Sequence, residues 1–423
     1  MIYVEILSTG EKIKRARIFK GITLKELCEN KISIAKMSCI ENGKAKADKE
    51  LLEYISKKIE IDFDYLVEDV YEQILNNLQM IKKNISCDSD VENKLKDNLS
   101  YAAKYKYYDL AFELIHILFC YYIEENKSEN VQLIVSQYYD LFQRNNTEEN
   151  TFIYFNDMAR YLSQNKEYIE AIAYYEKIRE MLQQKEYLDR SEYCLIGYNE
   201  ALCFQNIKKP QEAYDILSEI IEYVDKLEAL ENRGKIYHIY ATVCIKLKKD
   251  CAEYYKNKAF EYQKYNPISL ALSRGDYGRY YFEVGEKEKA IKEIEEGIKI
   301  FPIDNREKNV EFLNYCTQIL IKNSEYEIAY KITEETLNIA ILTDNIRLIE
   351  KSYYLKGIIL QKMEDYVEAE KYMNLSLDSL FKFGTREQRK RRYIDMAKMY
   401  HKLGSTTDSL KYFNLAIAVD NSI

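Results

Sequence analysis

Between residues 67 and 90 the apolar positions Val70, Ile74, Leu78, Ile81 and Ile85 step by four, four, three and four. That is the spacing of a single apolar stripe on a helix. The run Cys87-Asp-Ser-Asp90 breaks it. Such a stripe must be covered, either by the chain's own helices or by a second copy. Upstream, capping signals punctuate a set of short helices. Thr23 with Glu26 is a capping box that starts a helix at Leu24, just after Gly21. A preceding helix spans about Gly10 to Lys20 and ends at Gly21, a natural C′ glycine. Ser33 caps a third helix, Ile34 to Glu41, which Asn42-Gly43 terminates. Two more follow, near Lys49–Lys58 and Asp62–Leu66. Five short helices, the second and third joined by a tight turn, form a helix-turn-helix layout.

Downstream the pattern repeats. The segments Lys166-Glu-Tyr-Ile-Glu-Ala171, Lys209-Pro-Gln-Glu-Ala213, Gly285-Glu-Lys-Glu-Lys-Ala290, Ser324-Glu-Tyr-Glu-Ile-Ala329 and Glu364-Asp-Tyr-Val-Glu-Ala369 are variants of one element. Ala252 and Ser409 complete a series whose anchors lie 42, 39, 38, 39, 40 and 40 residues apart. Twelve residues before most anchors stands a small residue (Ala159, Ala201, Gly278, Gly357, Ala397). Seven residues after, small residues recur at Ala259, Gly297, Thr336, Ser376 and Ala416. Small side chains at fixed offsets let two antiparallel helices approach closely, so each repeat is a helical hairpin. Seven repeats are clear from about residue 152, and one or two worn ones fill 91–150 around Tyr107-Tyr-Asp-Leu-Ala111.

Composition sharpens this picture. With 12 Gly and 3 Pro in 423 residues, the chain lacks the turn-formers of a β-rich fold. The net charge of −8 is uneven: residues 1–60 carry thirteen Lys or Arg against nine acids, leaving the remainder at −12. A mildly basic head on an acidic body suits a DNA-reading domain joined to a sensing domain. No apolar leader and no long apolar stretch is present, so a cytoplasmic protein without membrane contact is expected. Nine cysteines without C-x-x-C spacing read as reduced core thiols.

Within the head, Gly10-Glu-Lys-Ile-Lys-Arg-Ala-Arg17, Gly21-Ile-Thr-Leu-Lys-Glu-Leu27 and Ile40-Glu-Asn-Gly-Lys44 resemble the XRE (phage-repressor-like) DNA-binding domain, which implies a domain over residues 1–66. In that family an Arg late in the first helix pairs with the Glu ending the third, and Arg17 and Glu41 hold those positions. The recognition helix would present Ile34, Ala35, Lys36 and Cys39 to base edges. Those are poor readers, because the good bidentate donors are Arg, Asn and Gln. Phosphate contacts through Lys36, Lys44, Lys46 and the amides near Ser33 are therefore expected to dominate.

The repeats resemble the tetratricopeptide (TPR) motif at a longer pitch than usual. The resemblance implies a right-handed superhelix over residues 91–423, joined to the head by a linker helix over 67–90, with first helices lining a concave peptide-binding groove. Counting from the small residue, the groove candidates are Asn156 and Arg160, Tyr198 and Asn199, His238, Arg279, Asn314 with Gln318, and Lys351 with Tyr354. Asn199 is the sharpest, since a planar amide can bridge a peptide backbone.

No P-loop, G-x-G-x-x-G, H-E-x-x-H or nucleophile elbow occurs, and His116, His238 and His401 lack metal spacing. His116, among Leu114, Ile115, Ile117 and Leu118, reads as a core residue. The expectation is no enzyme, no cofactor and no metal. As a whole the chain resembles the RRNPP family of peptide-pheromone receptors. That implies a homodimeric, quorum-sensing transcription regulator, with DNA at the head and a short signalling peptide in the groove. The alternatives are a TPR adaptor, or a repressor, whose groove binds a partner protein.

Overall fold

The computed structural model describes residues 5–85, 89–184 and 189–421; Cys87 of the expected helix stop lies outside them. Among the described residues there are 23 α-helices and no strand. Contacts divide the chain into two compact units, Met1–Lys185 and Glu186–Ile423. The head and the first hairpins therefore belong to one unit.

The head comprises α1 (Thr9–Phe19), α2 (Leu24–Cys28), α3 (Ile34–Glu41), α4 (Lys49–Ile59) and α5 (Phe63–Val67). Capping boxes open α1 (Ser8 with Glu11) and α2 (Thr23 with Glu26), and single caps open α3 (Ser33) and α4 (Asp48). Their apolar faces meet in one core of Ile13, Leu27, Met37, Ile40, Leu52, Ile55, Ile59 and Leu66. Gly10 is where α1 crosses α3, and a Cβ there would collide with the Ile40 carbonyl oxygen. The buried Lys12 ammonium donates to the Tyr65 and Glu68 carbonyls at 2.6 and 2.7 Å, closing the end of α5.

The rest of this unit is α6 (Val70–Asn84), α7 (Val91–Tyr105), α8 (Tyr108–Glu124), α9 (Ser128–Arg144), α10 (Glu148–Gln164) and α11 (Tyr168–Gln184). They pack as three hairpins, α6/α7, α8/α9 and α10/α11, with α8 touching both α6 and α10. The stripe Val70, Ile74, Leu78 and Ile81 is buried inside the chain. The helix expected as a linker is thus the first helix of a hairpin. Its Asn77 amide donates to Asn98 on α7 at 3.2 Å, and its Gln73 side chain pairs with both backbone groups of Leu7.

The second unit is six hairpins: α12 (Arg190–Asn206) with α13 (Pro210–Val224), α14 (Leu230–Lys246) with α15 (Ala252–Gln263), α16 (Pro267–Glu283) with α17 (Lys287–Ile300), α18 (Arg306–Lys322) with α19 (Tyr326–Ile341), α20 (Ile346–Lys362) with α21 (Tyr366–Phe381), and α22 (Arg386–Leu403) with α23 (Thr406–Asn421). The repeat signature dictates these crossings. Ala213, Ala290, Ala329 and Ala369 are fully buried where the second helix begins. At Gly278 a Cβ would lie 2.5 Å from Ile294 and 3.0 Å from the Ala290 carbonyl, so α16 and α17 meet there almost backbone to backbone. The α14/α15 hairpin departs from the register. Its buried small residue is Ala241, and its anchor Ala252 is only partly buried. Each first helix of this unit ends in one left-handed residue: Lys208, Lys248, Gly285, Ser324, Glu364 or Gly404.

Candidate functional site

On the head, Ser33, Ile34, Ala35, Lys36, Cys39, Lys44 and Lys46 are all exposed. Met37 and Ile40 anchor the opposite side of α3 in the core. The Ser33 hydroxyl accepts from the Lys36 amide at 3.2 Å. Arg17 and Glu41 meet as a two-pronged pair, Nε to Oε1 at 2.6 Å and Nη2 to Oε2 at 3.0 Å, with Glu41 4% exposed. Arg17 also donates to the Ile22 carbonyl at 2.9 Å. One guanidinium therefore fixes the end of α3, the end of α1 and the approach to α2. Among the described residues no carboxylate lies within ion-pair distance of Lys36, Lys44 or Lys46, which leaves three cations for an external anion.

In the hairpins, neighbouring first helices are tied by a recurring strut. A polar residue three positions before the small residue binds a partner on the next first helix. His238 Nε2 lies 3.4 Å from Asp276, Asn314 donates to Ser352 at 3.2 Å, and the Tyr354 hydroxyl donates to Asp395 at 3.0 Å. Asp276 also accepts from the Tyr315 hydroxyl at 2.5 Å. Burial pushes its carboxyl up, but hydrogen bonds from His238 and Tyr315 and the nearby Arg279 charge hold it at about 2.

Several of the expected groove residues also bond to neighbouring helices. Asn314 is 3% exposed, and His238 and Tyr354 face neighbouring helices, with Arg392 stacked 3.3 Å over the Tyr354 ring. Lys351 lies beside the same ring. Gln318 is exposed but donates to its own helix at Asn314. Tyr198 and Asn199 are half-buried on α12. Seven residues separate Asn199 from Asn206, so both lie on one face about 10 Å apart along the axis. Asn199 also holds the register of Asp276 and Asp395, two before the small residue.

The first unit shows the strut most fully, at the His116 site. His116 Nδ1 donates to Asp157 Oδ2 at 2.6 Å, the Tyr138 hydroxyl donates to the same oxygen at 2.7 Å, and Cys120 Sγ lies 3.5 Å from Oδ1. Burial pushes the His116 imidazole down, yet the bonds to Asp157 and Cys120 outweigh it and raise its pKa to about 10. His116 is half-buried, with 29% of its side chain exposed, rather than a core residue. The His116, Cys120 and Asp157 ligand atoms lie within 4.8 Å of one another, a spacing a metal ion could bridge. The Arg160 guanidinium, 3.9 Å from Cys120 Sγ, already brings a cation there. Asn156, one turn before Arg160, is half-buried.

Two cavities lie on the second unit. A cavity of about 700 Å³ is lined by α12, α14, α16 and α18 through Gln205, Asn206, Lys208, Lys246, Arg279, Tyr280, Glu283 and Lys322. A second, of about 670 Å³, is lined by Gln361, Lys362, Lys398, His401 and Lys402 of α20 and α22. Of the residues expected in the groove, only Arg279 lines either cavity. Six of the lining residues, Asn206, Lys246, Glu283, Lys322, Lys362 and Lys402, stand in register five positions after the small residue of their helix. That periodicity is legible in the sequence.

Cys28, Cys194, Cys203, Cys244 and Cys316 are buried thiols, whereas Cys39 is exposed and Cys120 and Cys251 half-buried. Among the described residues no helix is long and apolar enough to cross a membrane.

The tetratricopeptide-repeat family model matches residues 350–379, which cover most of α20 and α21. That segment is a tetratricopeptide repeat. No curated protein matches the chain. Among solved structures, the chain is similar to the apo form of the quorum sensor NprR from B. thuringiensis, at 15% identity over 83% of this chain and 99% of that one, with a TM-score of 0.46. It is similar to a Rap protein complexed with Competence and Sporulation Factor, at 16% identity over 83% and 98%, TM-score 0.44. A third is Bacillus thuringiensis PlcR in complex with the peptide PapR7 and DNA, at 19% identity over 61% and 94%, TM-score 0.33. These neighbours are RRNPP-family quorum sensors.

Proposed function

We propose that this chain is a peptide-controlled transcription regulator. The head binds DNA through α3 and its flanking lysines, and the first helices of the hairpins hold a short signalling peptide. One observation carries the reading: a five-helix head with the outer side of α3 exposed stands in one chain with TPR-type hairpins whose first helices line an open polar cavity. The Arg17–Glu41 clasp supports it, because a fixed α3 costs little further ordering on docking to a groove. DNA affinity comes mainly from phosphates, through Lys36, Lys44 and Lys46 with the amides beside Ser33, while Ile34, Ala35 and Cys39 face the bases. Asn199 and Arg279 contact the peptide. Two heads act together in a homodimer, because one small domain buries too little DNA for tight specific binding.

The experiment is a salt titration of duplex DNA binding by the full chain. A log–log slope that flattens when Lys36, Lys44 and Lys46 are replaced together by Ala supports the reading; an unchanged slope overturns it. The largely apolar outer side of α3 favours a second reading, in which the head grips a protein and the chain is an adaptor. In that case DNA binding would be absent at any salt concentration.

A further inference from the structure

The cavity on α12, α14, α16 and α18 concentrates positive charge in an acidic protein. Lys208, Lys246, Arg279 and Lys322 line it, opposed by a single carboxylate on the lining, Glu283. The chain as a whole carries −8. Lys246 and Lys322 stand in the last turn of their helices, where a cation complements the helix dipole. That explains each lysine singly, but not their convergence with Lys208 and Arg279 on one space.

Lys246 is half-buried, its ammonium 4.6 Å over the Tyr280 ring. No carboxylate among the described residues lies within ion-pair distance of it. Burial pushes its pKa down, as do the Arg279 and Lys208 charges, and Glu283 only partly offsets them. Arg279 lies flat on the same ring at 4.1 Å and is oriented by Tyr315 and Asp276 at 3.2 Å each. Arg279 is already paired with Asp276 at 3.2 Å and Glu283 at 3.7 Å, so the uncompensated charge around the Tyr280 ring is that of the half-buried Lys246, with the exposed Lys208 and Lys322 at the rim.

We propose that this pocket seats a carboxylate of the peptide bound on the first helices, either its C-terminal carboxylate or an acidic side chain. The inference rests on the peptide-binding reading above and adds the chemistry of recognition. A carboxylate here relieves the repulsion among the cations and gains charge-assisted bonds in a partly desolvated space. Glu283 opposes it and so tunes affinity.

The test is affinity selection on the immobilised full chain, read by mass spectrometry. The probes are three synthetic heptapeptide pools: random with a free C-terminus, random with a C-terminal amide, and a free-acid pool lacking Asp and Glu. About tenfold weaker recovery is expected from whichever pool lacks the recognised carboxylate. Loss on amidation assigns the C-terminus, and loss on omitting Asp and Glu assigns a side chain. Lys246→Gln and Lys322→Gln should each abolish the preference with the melting temperature unchanged. Glu283→Gln, at an exposed site, should strengthen recovery and keeps the test open if Lys246→Gln fails to fold. Equal recovery from all pools, or a preference that survives both lysine substitutions, overturns the pocket assignment and leaves peptide binding standing. No recovery from any pool overturns both.

Discussion

Arg17 illustrates how much one side chain settles. It pairs with a nearly buried Glu41, so removing it leaves a carboxylate desolvated without a partner, at a cost of about 3–5 kcal/mol. Arg17→Met should therefore lower the urea midpoint of the head, and Arg17→Lys should recover little, because an ammonium cannot replace the fork. Gly10→Ala should act likewise, since its Cβ drives α1 away from α3 at Ile40. His116 makes a pH prediction. Its folded pKa, about 10, lies above its ordinary value of 6.5, so the folded state holds that proton more tightly. The resulting stability is complete below about pH 6.5 and is lost as pH rises through 10. Melting temperature should fall across that window, and His116→Gln should flatten the fall; an unchanged slope in the variant would reject the strut.

At the scale of elements, helix signals were legible wherever the cause is local. Thr23 with Glu26 and Ser33 begin helices where their side chains satisfy free amides, and the Ser8–Glu11 box is the same signal, unread. The hairpins were legible because close helix approach demands small residues at fixed offsets. Gly278→Val should overpack the α16/α17 crossing and cost at least about 1–3 kcal/mol, seen as a lower melting temperature. The α6 stripe was legible as a helix but not as a hairpin partner, since periodicity does not say what covers an apolar face. At the expected groove positions a second role competes for a geometric reason. His238, Asn314 and Tyr354 sit where first helices touch one another, so polar residues there tie the stack together. The cavity-lining set lies about two turns further along the same helices, as Lys246 and Lys322 do. Asn199 is the residue where the two roles compete. Asn199→Ala should weaken peptide binding by about tenfold with an unchanged melt if it clamps the peptide. A lowered melting temperature instead would make it another strut.

At the scale of the whole molecule, the account needs two heads and one signal. Light scattering should give about twice the 50.4 kDa chain mass, and a monomer that persists with operator DNA would remove the geometric basis for control. The measurement that tests the central claim most directly is selection from a random duplex DNA pool by the full chain, with and without the free-acid heptapeptide pool at saturation. The account predicts enriched paired half-sites about 10–10.5 base pairs apart, or a multiple of that spacing, with recovery changing at least tenfold when peptide is present. No enriched sequence, or the same recovery in both arms, would contradict it.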